Sequence, residues 1–286
     1  MSIVTHNIRA KSHILTLLGE ELIGSDSLAI FELVKNAYDA DAENVFVTFV
    51  DLNTPNQKII IEDNGHGMTL NVIQNVWLTI GTDFKRGTNR KVSSKFERVS
   101  FGNKGVGRLA VHKLAKSITL ESKTSEDLFS TRLSIDWKKL IESKEFIQDL
   151  EVDLEEVSDV RFEKGHGTRI ILADLTTRIW TKKLLVDLVR KIDSIKNPFC
   201  NFTNFNVEIT CNDFHQLWID DVKTSIEILE DALYKFEFEI SLWEKDQTKD
   251  FNTDLAEFRW SYLFNPPSQV KLDKKYIEKN IKANKF

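Results

Sequence analysis

The sequence predicts an α+β protein. β-branched and aromatic segments come in pairs joined by short breaks, and helical segments with one apolar stripe lie between the pairs. No apolar run approaches the roughly 18 residues that span a bilayer. Of 286 residues, 41% are apolar and 29% charged, the composition of a soluble globular protein. The net charge of −5 argues against bulk electrostatic binding of nucleic acid.

The elements follow in order. Residues 8–18 predict a helix with Ile8, Ile14, Leu15 and Leu18 on one side. Ser25-Asp26-Ser27 is an N-cap cluster for the next helix, Phe31 to Ala42, which has no Gly or Pro. Glu32, Asn36 and Asp39 fall at i, i+4 and i+7 and share a helical face. Such a row suits a hydrated Mg²⁺ carrying phosphates. From this helix alone, a chance polar row on a solvated face reads equally well. Val45–Val50 and Lys58–Glu62 form a hairpin that ends on Asp63-Asn64-Gly65-His66-Gly67-Met68. Two glycines just after a buried strand permit a tight turn and a close approach of a planar ligand. Asp63, at the strand end, can accept a hydrogen bond from an exocyclic amine.

Residues 69–80 predict a helix with Val72, Ile73, Val76, Trp77 and Ile80 in one stripe. Residues 82–101 carry six Lys/Arg against two Asp/Glu. That segment is too long for a simple connection and has the length of a lid or binding loop; its charges read as solvated. It closes on Gly102-Asn103-Lys104-Gly105-Val106-Gly107, a glycine-rich turn that feeds a helix and exposes N–H groups to an anion. Strands follow at 117–122 and 128–135, then a surface insertion at 136–163. Gly165-His166-Gly167-Thr168 enters another strand, and 181–195 is helical. His166 reads as a loop residue. Cys200 and Cys211 have no metal-ligand spacing and read as free thiols in a reducing cytoplasm. The start, Met1 to His6, has no secretory pattern. Strands at 205–210 and 236–241, and the stretch 260–264, fall in a second region with few strands for its length. The tail from Lys271 holds six lysines.

In this order the Glu/Asn/Asp helix, the Asp-x-Gly-x-Gly turn, the glycine-rich turn after a lid and the Gly-Thr strand start closely resemble the GHKL ATPases. That superfamily holds gyrase B, the ninety-kilodalton heat-shock chaperones, histidine kinases and MutL, with MORC-like proteins beside them. The resemblance covers about residues 8–175. It implies a two-layer α/β sandwich with helices on one face of a mixed, mostly antiparallel sheet. It divides the chain into an ATP-binding domain at 1–197, with its lid at about 82–101, and an incomplete transducer-like region at 198–286. It also implies ATP and Mg²⁺ as ligands. Asp63 would bind the adenine amine, with Thr168 and Gly67 assisting through water and Gly65 and Met68 in the same wall. Asn36 would hold the metal and Asp39 would stand beside it. Gly102, Asn103, Lys104, Gly105, Val106 and Gly107 would wrap the phosphates, with Lys85 adding charge. Glu32 would act as general base.

The function that follows is an ATP-hydrolysing switch whose lid closes on nucleotide and whose protomers dimerise. Its client is unidentified, and its setting is bacterial stress, DNA repair or anti-phage defence. Two other readings stay open: a phosphotransferase of the histidine-kinase type, and a nucleotide-binding interaction module without turnover. Contact with nucleic acid through the basic lid is conceivable but not indicated, and no membrane role is expected.

Overall fold

The structure, a computed structural model, describes residues 9–17, 24–79, 92–99, 110–195, 204–230, 234–242 and 256–264. Lys85, the Gly102–Gly107 turn, Cys200 and the lysine tail lie outside the described residues. The chain divides into two compact units, Met1–Thr224 and Ser225–Phe286.

The first unit is built on seven strands: β1 (Asn44–Val50), β2 (Lys58–Asp63), β3 (Ala115–Lys123), β4 (Ser130–Asp136), β5 (Asp153–Val157), β6 (Gly167–Leu175) and β7 (Asn206–Cys211). They lie in the order β5-β4-β3-β6-β2-β1-β7. Every neighbouring pair is antiparallel except β1 and β7, which are parallel. The mixed, mostly antiparallel sheet is the one expected. Two details differ. β7, expected in the second region, adds to the edge of this sheet. The stretch 136–163, expected as a surface insertion, supplies the opposite edge strand β5 and a buried Trp137.

Because side chains alternate along a strand, residues in register form rungs on one face. Phe49, Ile59, Leu172, Ile118 and Ile135 make one rung, all at most 4% exposed. Val47, Ile61, Ile170, Leu120 and Leu133 make the next. The third changes character: Val45, Asp63, Thr168, Ser122 and Thr131. On the opposite face, the rung Glu62, Arg169, Glu121, Arg132 and Glu155 alternates in sign across five strands. Its ion pairs measure 2.7, 3.2, 2.9 and 3.4 Å in that sequence.

Among the helices that accompany the sheet are α1 (Asp26–Asp39), α2 (Leu70–Val72, running into a π-turn at Ile73–Trp77), α3 (Ala110–Leu114), α4 (Trp137–Glu142) and α5 (Lys182–Asp193). α1 packs against α3 and α5. Its buried stripe is Ala29, Ile30, Leu33, Val34 and Ala37, which meets Leu185, Leu188 and Ile192 of α5 in one core. The Ser25 hydroxyl caps α1 by accepting from the Leu28 N–H at 3.2 Å, as its sequence predicts. The 69–80 helix is shorter than its apolar stripe suggests. Thr69 caps one turn, the π-turn widens the next, and Ile73 alone among the stripe's described residues is fully buried. A short helix α6 (Gln216–Asp220) follows β7 and packs on α5.

The second unit contains α7 (Ser225–Glu230) and an antiparallel hairpin, β8 (Tyr234–Leu242) with β9 (Ala256–Phe264).

Candidate functional site

The polar third rung lies where β2 turns back toward the end of α1. After Asp63, Gly65 comes so close to Ala40 that a Cβ would lie 2.7 Å from the Ala40 carbonyl oxygen. His66 N–H donates to that same oxygen at 2.9 Å. Gly67 has φ +70°, and a Cβ there would sit 2.0 Å from the Lys123 carbonyl oxygen. Both glycines are thus required by the protein's own backbone. Asn64 fixes the other side: its buried Oδ1 accepts from Glu43 N at 2.8 Å and Asn44 N at 2.9 Å. His166 Nδ1 donates to Gly65 O at 2.7 Å, tying the turn to the loop before β6.

Within this frame burial pushes the Asp63 carboxyl up to about 7 from an ordinary 3.8. The N–H groups of Gly65 and Thr168 oppose the rise, and the nearby Glu62 charge adds to it. Gly65 N donates to Asp63 Oδ1 at 2.9 Å. Thr168 is opposite Asp63 in the β2–β6 register and is 8% exposed. Its hydroxyl lies 2.9 Å from that of Ser122, which is 1% exposed. Ser122 also accepts from Met68 N at 2.8 Å and donates to Gly167 O at 3.1 Å.

On α1 the polar row faces away from the buried stripe. Asn36 is exposed, while Glu32 and Asp39 are half-buried. The row is therefore open on its helix face. Glu32 Oε1 accepts from Lys35 Nζ at 2.8 Å. The exposed carboxamide of Asn36 between two carboxylates is an all-oxygen donor set, which fits a hard cation that keeps its waters.

The described part of the basic segment is rooted on the end of α1. Arg98, expected to be solvated, is 8% exposed. Its guanidinium donates to Tyr38 O at 3.1 Å, Ala42 O at 2.7 Å and Asn204 O at 2.6 Å. It also packs on the rings of Tyr38, Phe96 and Phe205 at 4.5, 4.6 and 5.3 Å. Asp41, in a left-handed conformation at φ 58°, accepts from Lys95 N at 2.8 Å. Lys164 and Lys95 hold the Glu43 carboxyl down at about 2.

A second cluster of ligand-type atoms lies elsewhere. Cys211, Asp213 and His215 present theirs within 4.8 Å of one another. Hydrogen bonds tie these groups to one another and to Asn53. Asn53 Oδ1 accepts from Trp180 N at 2.6 Å, which fixes the amide, so Asn53 Nδ2 donates to His215 Nε2 at 3.0 Å. The imidazole proton is therefore on Nδ1 and goes to Asp213. Burial, and then the hydrogen bond to Asp213, push the Cys211 thiol up to about 12 in this hydrogen-bonded arrangement. The cluster is a clasp joining the β1–β2 turn, the Trp180 segment and the start of α6.

Of the residues singled out from sequence, the structure brings Asp63, Gly65, Gly67, Met68 and Thr168 together and places Asn36, Asp39 and Glu32 on the adjoining helix. Lys85, Gly102, Asn103, Lys104, Gly105, Val106 and Gly107 lie outside the described residues. Ser122, Asn64, His166 and Arg98 were missed. Ser122 alone carried a signal, its two-residue spacing from Leu120 and Ile118.

A profile for the histidine kinase-, DNA gyrase B- and HSP90-like ATPases matches residues 25–168, half of the chain. The chain belongs to this ATPase family. The matched stretch runs from the Ser25 cap of α1 to Thr168 and so takes in both sides of the polar rung. ATP binding is the property this family membership supports. This ATPase-family chain is also 28% identical over 205 residues to a protein of Herpetosiphon aurantiacus named putative type II restriction enzyme HgiDII. That match covers 68% of the chain but 31% of the relative, so the chain spans about a third of the relative's length.

Proposed function

We propose that this chain is a Mg²⁺-dependent ATP-hydrolysing switch, serving as the nucleotide-driven module of a larger protein. The observation that carries the reading is the polar rung. A carboxylate and three hydroxyls, those of Asp63, Thr168, Ser122 and Thr131, close an otherwise apolar sheet face, and the carboxyl among them is strongly shifted, as at functional sites. In this reading Asp63 accepts a hydrogen bond from the adenine amine, and Thr168 and Gly67 assist through water. Gly65 and Met68 complete that wall.

Asn36 is the residue to hold Mg²⁺, with Asp39 alongside. When bound, the metal neutralises charge on the phosphates. Glu32 takes the proton of the attacking water: the water oxygen bonds to the γ-phosphorus, the bond to the bridging oxygen breaks, and ADP leaves with its electron pair. Lys35 engages one Glu32 oxygen and leaves the other to receive the proton. Lys85 and Gly102–Gly107 contact the phosphates in this scheme, a role that rests on the family resemblance. Lid closure and dimerisation of protomers are the two-state elements that nucleotide would bias. The Herpetosiphon relative is named a putative type II restriction enzyme, and of the expected settings that name favours anti-phage defence; a cytoplasmic location is part of the same proposal.

The test is Mg²⁺-dependent phosphate release from ATP, with Glu32→Ala run beside the wild type. Release that this variant loses, while it still binds ATP, supports the switch. ATP binding without release from the wild type points instead to a binding module, and transfer of labelled γ-phosphate to protein points to a phosphotransferase.

A further inference from the structure

We propose that Ser122 sets the purine specificity of this site by fixing the direction of the Thr168 hydroxyl. The inference rests on the reading of Asp63 and Thr168 as the base-binding wall. Ser122 has one proton and two lone pairs to satisfy three neighbours. Met68 N–H can only donate to it, at 2.8 Å, and Gly167 O can only accept from it, at 3.1 Å. The remaining contact, 2.9 Å to Thr168 Oγ1, is a hydrogen bond only if Thr168 is the donor. All three contacts are then made at once, and no other assignment makes them all.

The consequence falls on Thr168. A hydroxyl whose proton is committed to Ser122 offers only lone pairs to anything else. Its register partner Asp63, when ionised, also offers only lone pairs. Two acceptors side by side ask for a ligand edge made of donors. The 6-amino group of adenine is such an edge, donating directly or through water. A 6-oxo purine presents an acceptor there and moves its donor to N1–H, so at position 6 it meets two acceptors whenever Asp63 is ionised. Ser122 is thus a specificity-determining residue that need not touch the base. Its own placement is set by the strand: it follows Leu120 and Ile118 on the covered face and is 1% exposed.

The experiment measures dissociation constants by calorimetry at pH 8.5, where Asp63 is ionised, for ATP and inosine triphosphate, which differ at the 6-position and in the N1 proton without the added 2-amino group of guanine. Wild type, Ser122→Ala, Thr168→Ser and Asp63→Asn are compared, with thermal unfolding recorded for each. Ser122→Ala frees the Thr168 proton to point at the ligand, so the ATP preference should shrink by about tenfold, the worth of one hydrogen bond, with inosine triphosphate binding more tightly than to the wild type. Thr168→Ser keeps the hydroxyl and should keep the preference. Equal weakening of both nucleotides by Ser122→Ala, or an unchanged ratio, would overturn the proposal and leave Ser122 a packing residue. If Ser122→Ala fails to fold, Ser122→Cys, which fills the space with a weak acceptor, reads the same point: a smaller preference supports the directional role, and an unchanged ratio overturns it. Failure of the underlying reading looks different: Asp63→Asn would leave ATP affinity intact, or the wild type would show no preference at all.

Discussion

Asp63→Asn should make the protein more stable in mild alkali and less stable in acid. The wild-type carboxyl has its midpoint at about 7 in the fold, against 3.8 for an ordinary aspartate. A folded midpoint above the unfolded one means that the protonated form favours folding. That advantage is present below pH 4 and is lost as pH rises through about 7. With about 1.4 kcal/mol for each pH unit between the two midpoints, the charged carboxylate costs the fold roughly 4 kcal/mol at pH 8.5. Asparagine removes the charge but turns an amide nitrogen toward one of the two N–H groups that face this side chain, at a cost of about 1–2 kcal/mol. The variant should therefore be less stable than wild type by about 1–2 kcal/mol at pH 4 and more stable by about 2–3 kcal/mol at pH 8.5. Urea unfolding at pH steps across that range reads the difference directly, and subtracting the two proteins cancels groups that titrate in both. A difference that stays flat with pH would refute the reasoning, because it would mean that Asp63 is an ordinary carboxylate. The same variant should lose ATP binding, so stability and function would move in opposite directions at one residue.

Two further outcomes follow from the geometry. Arg98→Ala removes three charge-assisted bonds to carbonyls and three ring contacts, and should cost about 2–4 kcal/mol in urea unfolding, with Arg98→Lys recovering only a minor part; a change under about 0.5 kcal/mol would show a solvated side chain. Cys211, protonated and buried, should resist iodoacetamide at pH 7.5 in the folded protein and react only on unfolding, read by mass spectrometry of the peptide that contains it, and a chelator should leave the unfolding midpoint unchanged. Rapid native labelling or a chelator-induced drop would contradict the hydrogen-bonded clasp.

The sequence was informative where the determinants are local. Ser25 caps α1 because a short hydroxyl side chain precedes a periodic apolar stripe, and the β1–β2 hairpin follows from its own alternation. Asp63 and Thr168 were legible as strand-end residues, but their adjacency is a product of pairing between segments about a hundred residues apart. Ser122 was lost for that reason: its partners come from two other strand ends. Arg98 was misread because charge composition treats every arginine in a basic run as solvated, whereas its burial depends on carbonyls at 38, 42 and 204. β7 was assigned by sequence order to the second region, yet a parallel strand finds its partner through a crossover and so joins a sheet begun 160 residues earlier. β5 hid in an acidic stretch because an edge strand needs little apolar pattern.

The charged ladder on the open face has a consequence for how this sheet assembles. A slip of one residue between β2 and β6 would turn apolar side chains outward and is rejected by burial alone. A slip of two keeps Ile59, Ile61, Ile170 and Leu172 facing the core, so the hydrophobic pattern barely distinguishes it from the native pairing. The ladder does. Such a slip would set Arg169 opposite Ile60 instead of Glu62, breaking the ion pair with β2. The alternating charges therefore act as a register key, selecting one alignment among those that a greasy face would accept, for strands that come from far apart in the chain.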